Sequence, residues 1–401
     1  MNLYKVLFLS CIILAFSCKK ILPTNNPSTV YYNNGPTDSL RINQMTVVAS
    51  HNSYHKKTDS VVFVFLTNLY TLGILPSSYN PAEIDYIHLP LTQQLNEYGI
   101  RGLELDVWND PDGGNFYNRA GLGLAGYSPD SHLDVLKQPG FKILHIPDFD
   151  YNPNNYTFIS GITEIKQWSD AHPNHLPVFI NVETEVSAPG DDPALATLQG
   201  LAHAVPFDAT AADELDREVK SVFGNNLDGV ITPDNVRGNY ASLEQAVLAG
   251  NWPKISAARG KVIFIVDPDG NSGDVYKTGH PSLIGRAMFV YTYPGSPEAA
   301  FVKLNDAIGS FTEIQKDVSK GYILRTQSDD ATFQARAGNY STMNAAFGSW
   351  AQIVSTDYYK PDYRAGTPGW TDYHVTLPGG GVARIDSISA TGQLNLGTIK
   401  E

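Results

Sequence analysis

His51 and Asn52 stand side by side where the apolar run Met45 to Ser50 ends, and the segment Arg101 to Trp108 carries two carboxylates, Glu104 and Asp106, two residues apart. Side chains alternate faces along a strand, so Glu104 and Asp106 share one face while Leu103, Leu105 and Val107 share the other. Two carboxylates on one buried face need a metal ion or a basic partner such as Arg101, because like charges at short range raise each other's pKa. Glu183 ends a further apolar run, Val178 to Glu183. Asn52, Glu104, Asp106 and Glu183 are all oxygen donors, a set suited to Ca2+ or Mg2+ and unlike the Cys/His clusters that hold zinc or copper. His145, at the end of Lys142 to Ile146, supplies a second imidazole. With an ordinary pKa of ~6.5, His51 and His145 can serve as general base and general acid near neutrality. His172 and His175 imitate metal spacing, but Pro173 lies between them and they precede a strand, so a structural role is expected.

The elements that must position these residues alternate along the chain. Strands are expected at Met45 to Ser50, Arg101 to Asp106, Lys142 to Ile146, Val178 to Glu183, Lys261 to Val266, Met288 to Tyr293, Tyr322 to Thr326 and Gln352 to Ser355. Helical stretches are expected at Gly161 to Ala171, Ala211 to Val222, Leu243 to Ala249 and Ser310 to Ser319. Strand and helix in alternation imply a parallel sheet with helical crossovers, and eight strands close a barrel. His51, Asn52, Glu104, Asp106, His145, Glu183 and Arg325 all fall where a strand stops, and catalytic groups of (β/α)8 barrels sit at the C-terminal ends of strands.

The chain has 401 residues with 28 Lys+Arg, 41 Asp+Glu and a formal net charge of −13. No basic stripe exists to engage a phosphate backbone, which excludes a nucleic-acid partner and favours a cationic ligand. Val6 to Phe16 is an apolar run too short to span a bilayer, which takes ~20 residues, but it suits a signal peptide. Ala15-Phe16-Ser17-Cys18 follows it and resembles a bacterial lipobox, so cleavage after residue 17 and lipidation of Cys18 are expected, with export to the cell envelope. Cys11 leaves with the leader, and no internal disulfide remains. Residues 18–40 read as a tether and 41–401 as one folded domain, expected to be monomeric.

The ordered set His51-Asn52, Glu104-Leu105-Asp106, His145 and Glu183 looks like the X-region active site of phosphoinositide phospholipases C. More closely, the chain resembles the bacterial calcium-dependent phosphatidylinositol phospholipase C family, with Ile231 to Arg237, Trp252-Pro253, Ala258 to Val262, Gly321 to Thr326 and Val354 to Tyr359 continuing the likeness over about residues 45 to 390. The resemblance implies a TIM-like barrel that cleaves the glycerol–phosphate bond of an inositol phospholipid at a membrane surface. It gives diacylglycerol and a cyclic inositol phosphate. The resemblance places the catalytic pair on His51 and His145 and the Ca2+ ligands on Asn52, Glu104, Asp106 and Glu183. His145 would protonate the leaving oxygen; His51 or a ligand carboxylate would act as base. Arg325 and Tyr358 are expected to grip the headgroup by charged hydrogen bonding and ring stacking. Acidic Glu185 beyond Glu183 favours an unphosphorylated inositol. Two other readings stay open: a glycerophosphodiester phosphodiesterase on the same barrel, and a surface lipoprotein that only binds inositol lipids or glycans.

Overall fold

The computed structural model describes residues 36–390 and 397–401. The expected leader and Cys18 lie outside these residues. Residues 36–40, assigned to the tether from their composition, are packed: Pro36–Ser39 makes a 3-10 turn, Leu40 is buried, and Asp38 pairs with Arg259.

Strands β1 (Met45–Ser50), β2 (Gly102–Trp108), β3 (Lys142–Ile143), β4 (Val178–Glu185), β5 (Val262–Pro268), β6 (Phe289–Val290), β7 (Phe301–Lys303), β8 (Ile323–Gln327) and β9 (Ile353–Thr356) are followed by two short strands, β10 (Ala383–Ile385) and β11 (Thr398–Ile399). The order β6-β5-β4-β2-β1-β9-β8-β7 is parallel throughout, and a parallel bridge between Tyr291 and Phe301 joins its two ends. The result is a nearly closed barrel of eight parallel strands.

One expected strand is not in it. Lys142–Ile143 pairs antiparallel with β2, and the eighth barrel strand is Phe301–Lys303, absent from the sequence reading. His145 therefore leaves a short hairpin-like strand rather than the end of a barrel strand. β10 and β11 form an antiparallel extension on β1.

Helices α1 (Ser60–Thr71), α2 (Leu91–Glu97), α3 (Ala120–Leu124), α4 (Phe158–Ala171) and α5 (Ala209–Phe223) come between the first barrel strands. Their starts are set by side chains that take orphan amide hydrogens: Asp59 accepts from Val61, Thr157 from Ser160 and Asp208 from Ala211. In α4 and α5 the apolar residues recur at helical spacing, Ile162, Ile165 and Trp168 in one, Ala211, Leu215 and Val219 in the other, and all are buried against the barrel. A second apolar cluster, including Val62, Leu66, Trp108, Leu144 and Phe149, caps the C-terminal end of the barrel beside β1 and β2.

Strand β1 approaches β2 closely where Ala49 lies opposite Gly102. A Cβ on Gly102 would sit 2.4 Å from the Ala49 Cβ, so only glycine lets these strands meet. That contact brings the His51-Asn52 turn over the carboxylates of β2.

Candidate active site

Pairing in register sets Glu104 beside Asn181, Asp106 beside Glu183 and Glu183 beside Asp267. Three neighbouring strands thus raise their carboxylates at the same level of the barrel mouth. One oxygen from each of Glu104, Asp106 and Glu183 lies within 4.8 Å of the others.

Each carboxylate has its own surroundings. Glu104 accepts from Arg325 Nη2 at 2.6 Å, from Asn181 Nδ2 at 2.6 Å and from the Asn52 amide at 3.3 Å. Burial alone would raise its pKa, but the charges of Arg325, His51 and Lys303 outweigh it and hold Glu104 down at about 2. Asp106 accepts a short 2.5 Å hydrogen bond from the Tyr54 hydroxyl. Burial, then Glu104 and Glu185, push it well above the carboxylate range. Glu183 is pushed up by burial and by Asp267, Asp106 and Glu104, and its side chain has no hydrogen-bond partner among the described residues.

The Asn52 turn adds a telling contact. Its backbone is in the left-handed region, φ 43°, which turns the side chain toward Asp106. There the amide oxygen faces both Asp106 oxygens at 3.1 and 3.3 Å, acceptor against acceptors. Turning the amide over would let it donate to Asp106 and accept from Tyr86; a cation among these oxygens would offset the same repulsion with the amide as it stands. Oxygens held ~2.3–2.6 Å from one ion stand at most about 5 Å apart, so the spacing of the three carboxylates fits Ca2+.

The two expected catalytic histidines each stand on a buried aspartate, and His51 lies close to Glu104. His51 Nδ1 meets Asp357 Oδ1 at 2.8 Å, and His145 Nδ1 meets Asp150 Oδ2 at 2.8 Å. Each side chain is about a quarter exposed, 26% and 24%, and neither Nε2 has a hydrogen-bond partner among the described residues. Desolvation would lower the His51 pKa, yet the carboxylates of Asp357 and Glu104 raise it to about 10. Asp150 also accepts from His55 Nε2 at 2.6 Å and from the Thr58 hydroxyl. Burial would raise Asp150, but His55 and His145 hold it far below its ordinary value.

The proposed headgroup residues separate. Arg325 lies inside the mouth, bonded to Glu104 and 3.7 Å from Asp267. Tyr358 does not face the mouth: it is 2% exposed, edge-on to Tyr373, and Asp357 is the residue of that segment that reaches the site. An aromatic ring close to Arg325 is instead Tyr291, at the end of β6, whose hydroxyl is pushed above its ordinary range by burial, then influenced by Arg325 and Asp267. Glu185 stands at the rim beside His145, raised by burial and by Glu183. His172 and His175 pack around Trp168 ahead of β4, away from this end, as expected.

Asp150, Asp357, Asp267, Lys303, Tyr54 and Asn181 were not foreseen. Asp267 ends β5 and pairs with Lys303 of β7. Asp267 carried the signal used elsewhere, a charge where an apolar strand stops; Asp150 and Asp357 lie in loops without period.

Comparison with known proteins follows the same lines. The family model described as Phosphoinositide phospholipase C, Ca2+-dependent, matches residues 40–387. Among solved structures, a calcium-dependent phosphoinositol-specific phospholipase C from a Pseudomonas species is 16% identical with a TM-score of 0.46, over 80% of this chain and 91% of the other. A Ca2+-dependent phosphatidylinositol-specific phospholipase C from Streptomyces antibioticus is 16% identical with a TM-score of 0.47, over 80% and 95%. A search of curated proteins returned no match.

Proposed function

Because the chain belongs to the Ca2+-dependent phosphoinositide phospholipase C family, a family of phosphoric diester hydrolases, we propose that it cleaves phosphatidylinositol or a closely related inositol phospholipid to diacylglycerol and an inositol (cyclic) phosphate. The observation that carries this reading is the convergence of three carboxylates at the barrel mouth, with His51 beside Glu104 and His145 beside Glu185, each histidine held by a buried aspartate.

Asn52, Glu104, Asp106 and Glu183 would hold Ca2+, which when bound offsets phosphodiester charge and lowers the pKa of the attacking hydroxyl. The inositol 2-hydroxyl oxygen forms a bond to phosphorus as the glycerol oxygen leaves. Asp150 takes the Nδ1 hydrogen of His145, so Nε2 is the atom that passes a proton to that leaving oxygen. Asp357 orients His51 in the same way, and its Nε2–H donates to a phosphoryl oxygen. The hydroxyl proton goes to Glu183, the one of the three carboxylates whose side chain has no hydrogen-bond partner among the described residues. Lys303 and Arg325 line the headgroup side, but Asp267, Glu183 and Glu185 stand with them. That balance suits a neutral inositol ring better than one with added phosphates. Anchoring through Cys18 at the cell envelope belongs to the same proposal.

Phosphorus NMR of phosphatidylinositol vesicles treated with the protein tests it. A cyclic inositol phosphate signal is expected. Turnover of water-soluble glycerophosphodiesters with no action on phosphatidylinositol would favour the glycerophosphodiesterase reading instead.

A further inference from the structure

The ladder between β8 and β9 is continued past its end by a side chain. In register, Arg325 pairs with Ile353, Thr326 with Val354 and Gln327 with Ser355, and the Ser328 amide then donates to the Ser355 carbonyl at 2.9 Å. Beyond that point both strands have ended, and the Asp329 carboxylate takes over. Its Oδ1 accepts from the Asp357 amide at 2.8 Å and its Oδ2 from the Thr356 hydroxyl at 2.5 Å. That hydroxyl in turn accepts from the Tyr358 amide at 2.8 Å, and the Tyr373 hydroxyl reaches Oδ2 at 3.2 Å. One carboxylate thus fixes Thr356, Asp357 and Tyr358. His51 hangs from the first two: its amide donates to the Thr356 carbonyl at 2.9 Å, and its Nδ1 meets Asp357 Oδ1 at 2.8 Å.

We infer that Asp329 is a positioning residue for the reaction: it sets the turn after β9 so that Asp357 fixes the orientation and tautomer of His51. This rests on the proposed function. The place requires a carboxylate. A backbone amide and two hydroxyls all donate toward Asp329, and an acceptor-only group takes them without turning a hydrogen of its own toward any of them. Stability does not account for it. Asp329 is buried, and burial together with the charge of Asp357 pushes its carboxyl up to about 7, so ionising it in the folded protein costs stability. What it supplies is geometry. A catalytic group works only when held to within about 0.5 Å and 10–20° by neighbours that are themselves locked, and Asp329 locks the neighbour of His51. The arrangement also accounts for Tyr358: with its amide held by Thr356, its ring packs edge-on to Tyr373, 6.1 Å between centroids, and not toward the mouth.

Two variants test this, each compared with the parent below its melting temperature. Asp329→Asn must turn its NH2 toward one of the donors, and Thr356→Val keeps the shape but removes the hydroxyl link; Thr356→Ser is the rescue. In protein carrying nitrogen-labelled histidine, NMR reads the downfield proton resonance of His51 Nδ1–H, assigned by its loss in His51→Ala. It is expected to move upfield or vanish in Asp329→Asn and Thr356→Val and to return in Thr356→Ser, while the resonance of His145 Nδ1–H, held by Asp150, stays in place. Turnover of soluble inositol cyclic phosphate should lose about 10- to 10²-fold in kcat in the first two variants with KM within about twofold, since misplacing a reacting group costs rate more than binding. A residue that only stabilised the fold would lower Tm and leave the resonance and kcat unchanged. That result, or loss of the His145 resonance together with that of His51, would overturn the inference; where Asp329→Asn does not fold, Thr356→Val decides alone. A parent that cleaves no inositol phosphodiester would sink the proposed function, and the two resonances would still decide the placing of His51 by Asp329.

Discussion

Asp150 organises more of the site than either histidine it holds. Its Oδ2 accepts from both His55 and His145, and its Oδ1 from Thr58. Replacing it by asparagine exchanges an acceptor for an amide that must turn its NH2 toward one of these donors. Asp150→Asn is expected to lower kcat by about 10²-fold or more, because the His145 tautomer is no longer fixed. It should also cost about 1–3 kcal/mol of stability, since buried His55 loses its partner. Steady-state kinetics with a urea titration separates the two effects. His145→Ala and His51→Ala should each lose about 10²–10⁴-fold in kcat, and full activity in either would contradict its role. At this scale Glu104 and Asp106 were legible in the sequence because alternation along a strand decides their facing. Asp150 and Asp357 were not, since they meet their histidines through loops of no period, Asp357 from 306 residues away.

Among the elements, β1 and β2 carry the tightest constraint. Gly102→Ala would drive a methyl into Ala49, and overpacking of this kind costs about 1–3 kcal/mol, read as a lower Tm. Helix α5 makes a pH prediction. Burial raises Glu218 to about 7, against the hydrogen bond from Phe141 N–H and the charge of Lys142. The folded state therefore binds this proton more tightly than the unfolded chain. The contribution of Glu218 to stability is full below about pH 4.5 and declines as pH rises through about 7, by at most about 3 kcal/mol. Glu218→Gln should flatten the fall in Tm between pH 5 and pH 8; an unaltered fall would contradict it. The long amphipathic helices α4 and α5 and most barrel strands were legible from period. Strand β7 was not, because three residues hold no period, and α1 was not, because its opening run Val61 to Phe65 is of strand-favouring residues.

For the whole molecule, the excess of acid is concentrated where it opposes folding. Glu104, Asp106, Glu183, Glu185 and Asp267 share the mouth with Arg325, Lys303 and His51 as their basic neighbours among the described residues. A cation bound there stabilises the fold by mass action, about 2.7 kcal/mol at a hundred times its Kd, so millimolar Ca2+ should raise Tm and a chelator should lower it. That effect should vanish in Glu183→Gln/Asp106→Asn while the fold persists. The overall charge of −13 was plain from composition, and the gathering of Glu104, Asp106 and Glu183 from their places at strand ends; the register of β4 and β5 adds Asp267. The most direct measurement is release of diacylglycerol and inositol phosphate from phosphatidylinositol vesicles as free Ca2+ is varied with a chelator. The account predicts release that rises with Ca2+, disappears on chelation and returns when Ca2+ is restored; release at full rate in excess chelator, or none at any Ca2+ concentration, would contradict it.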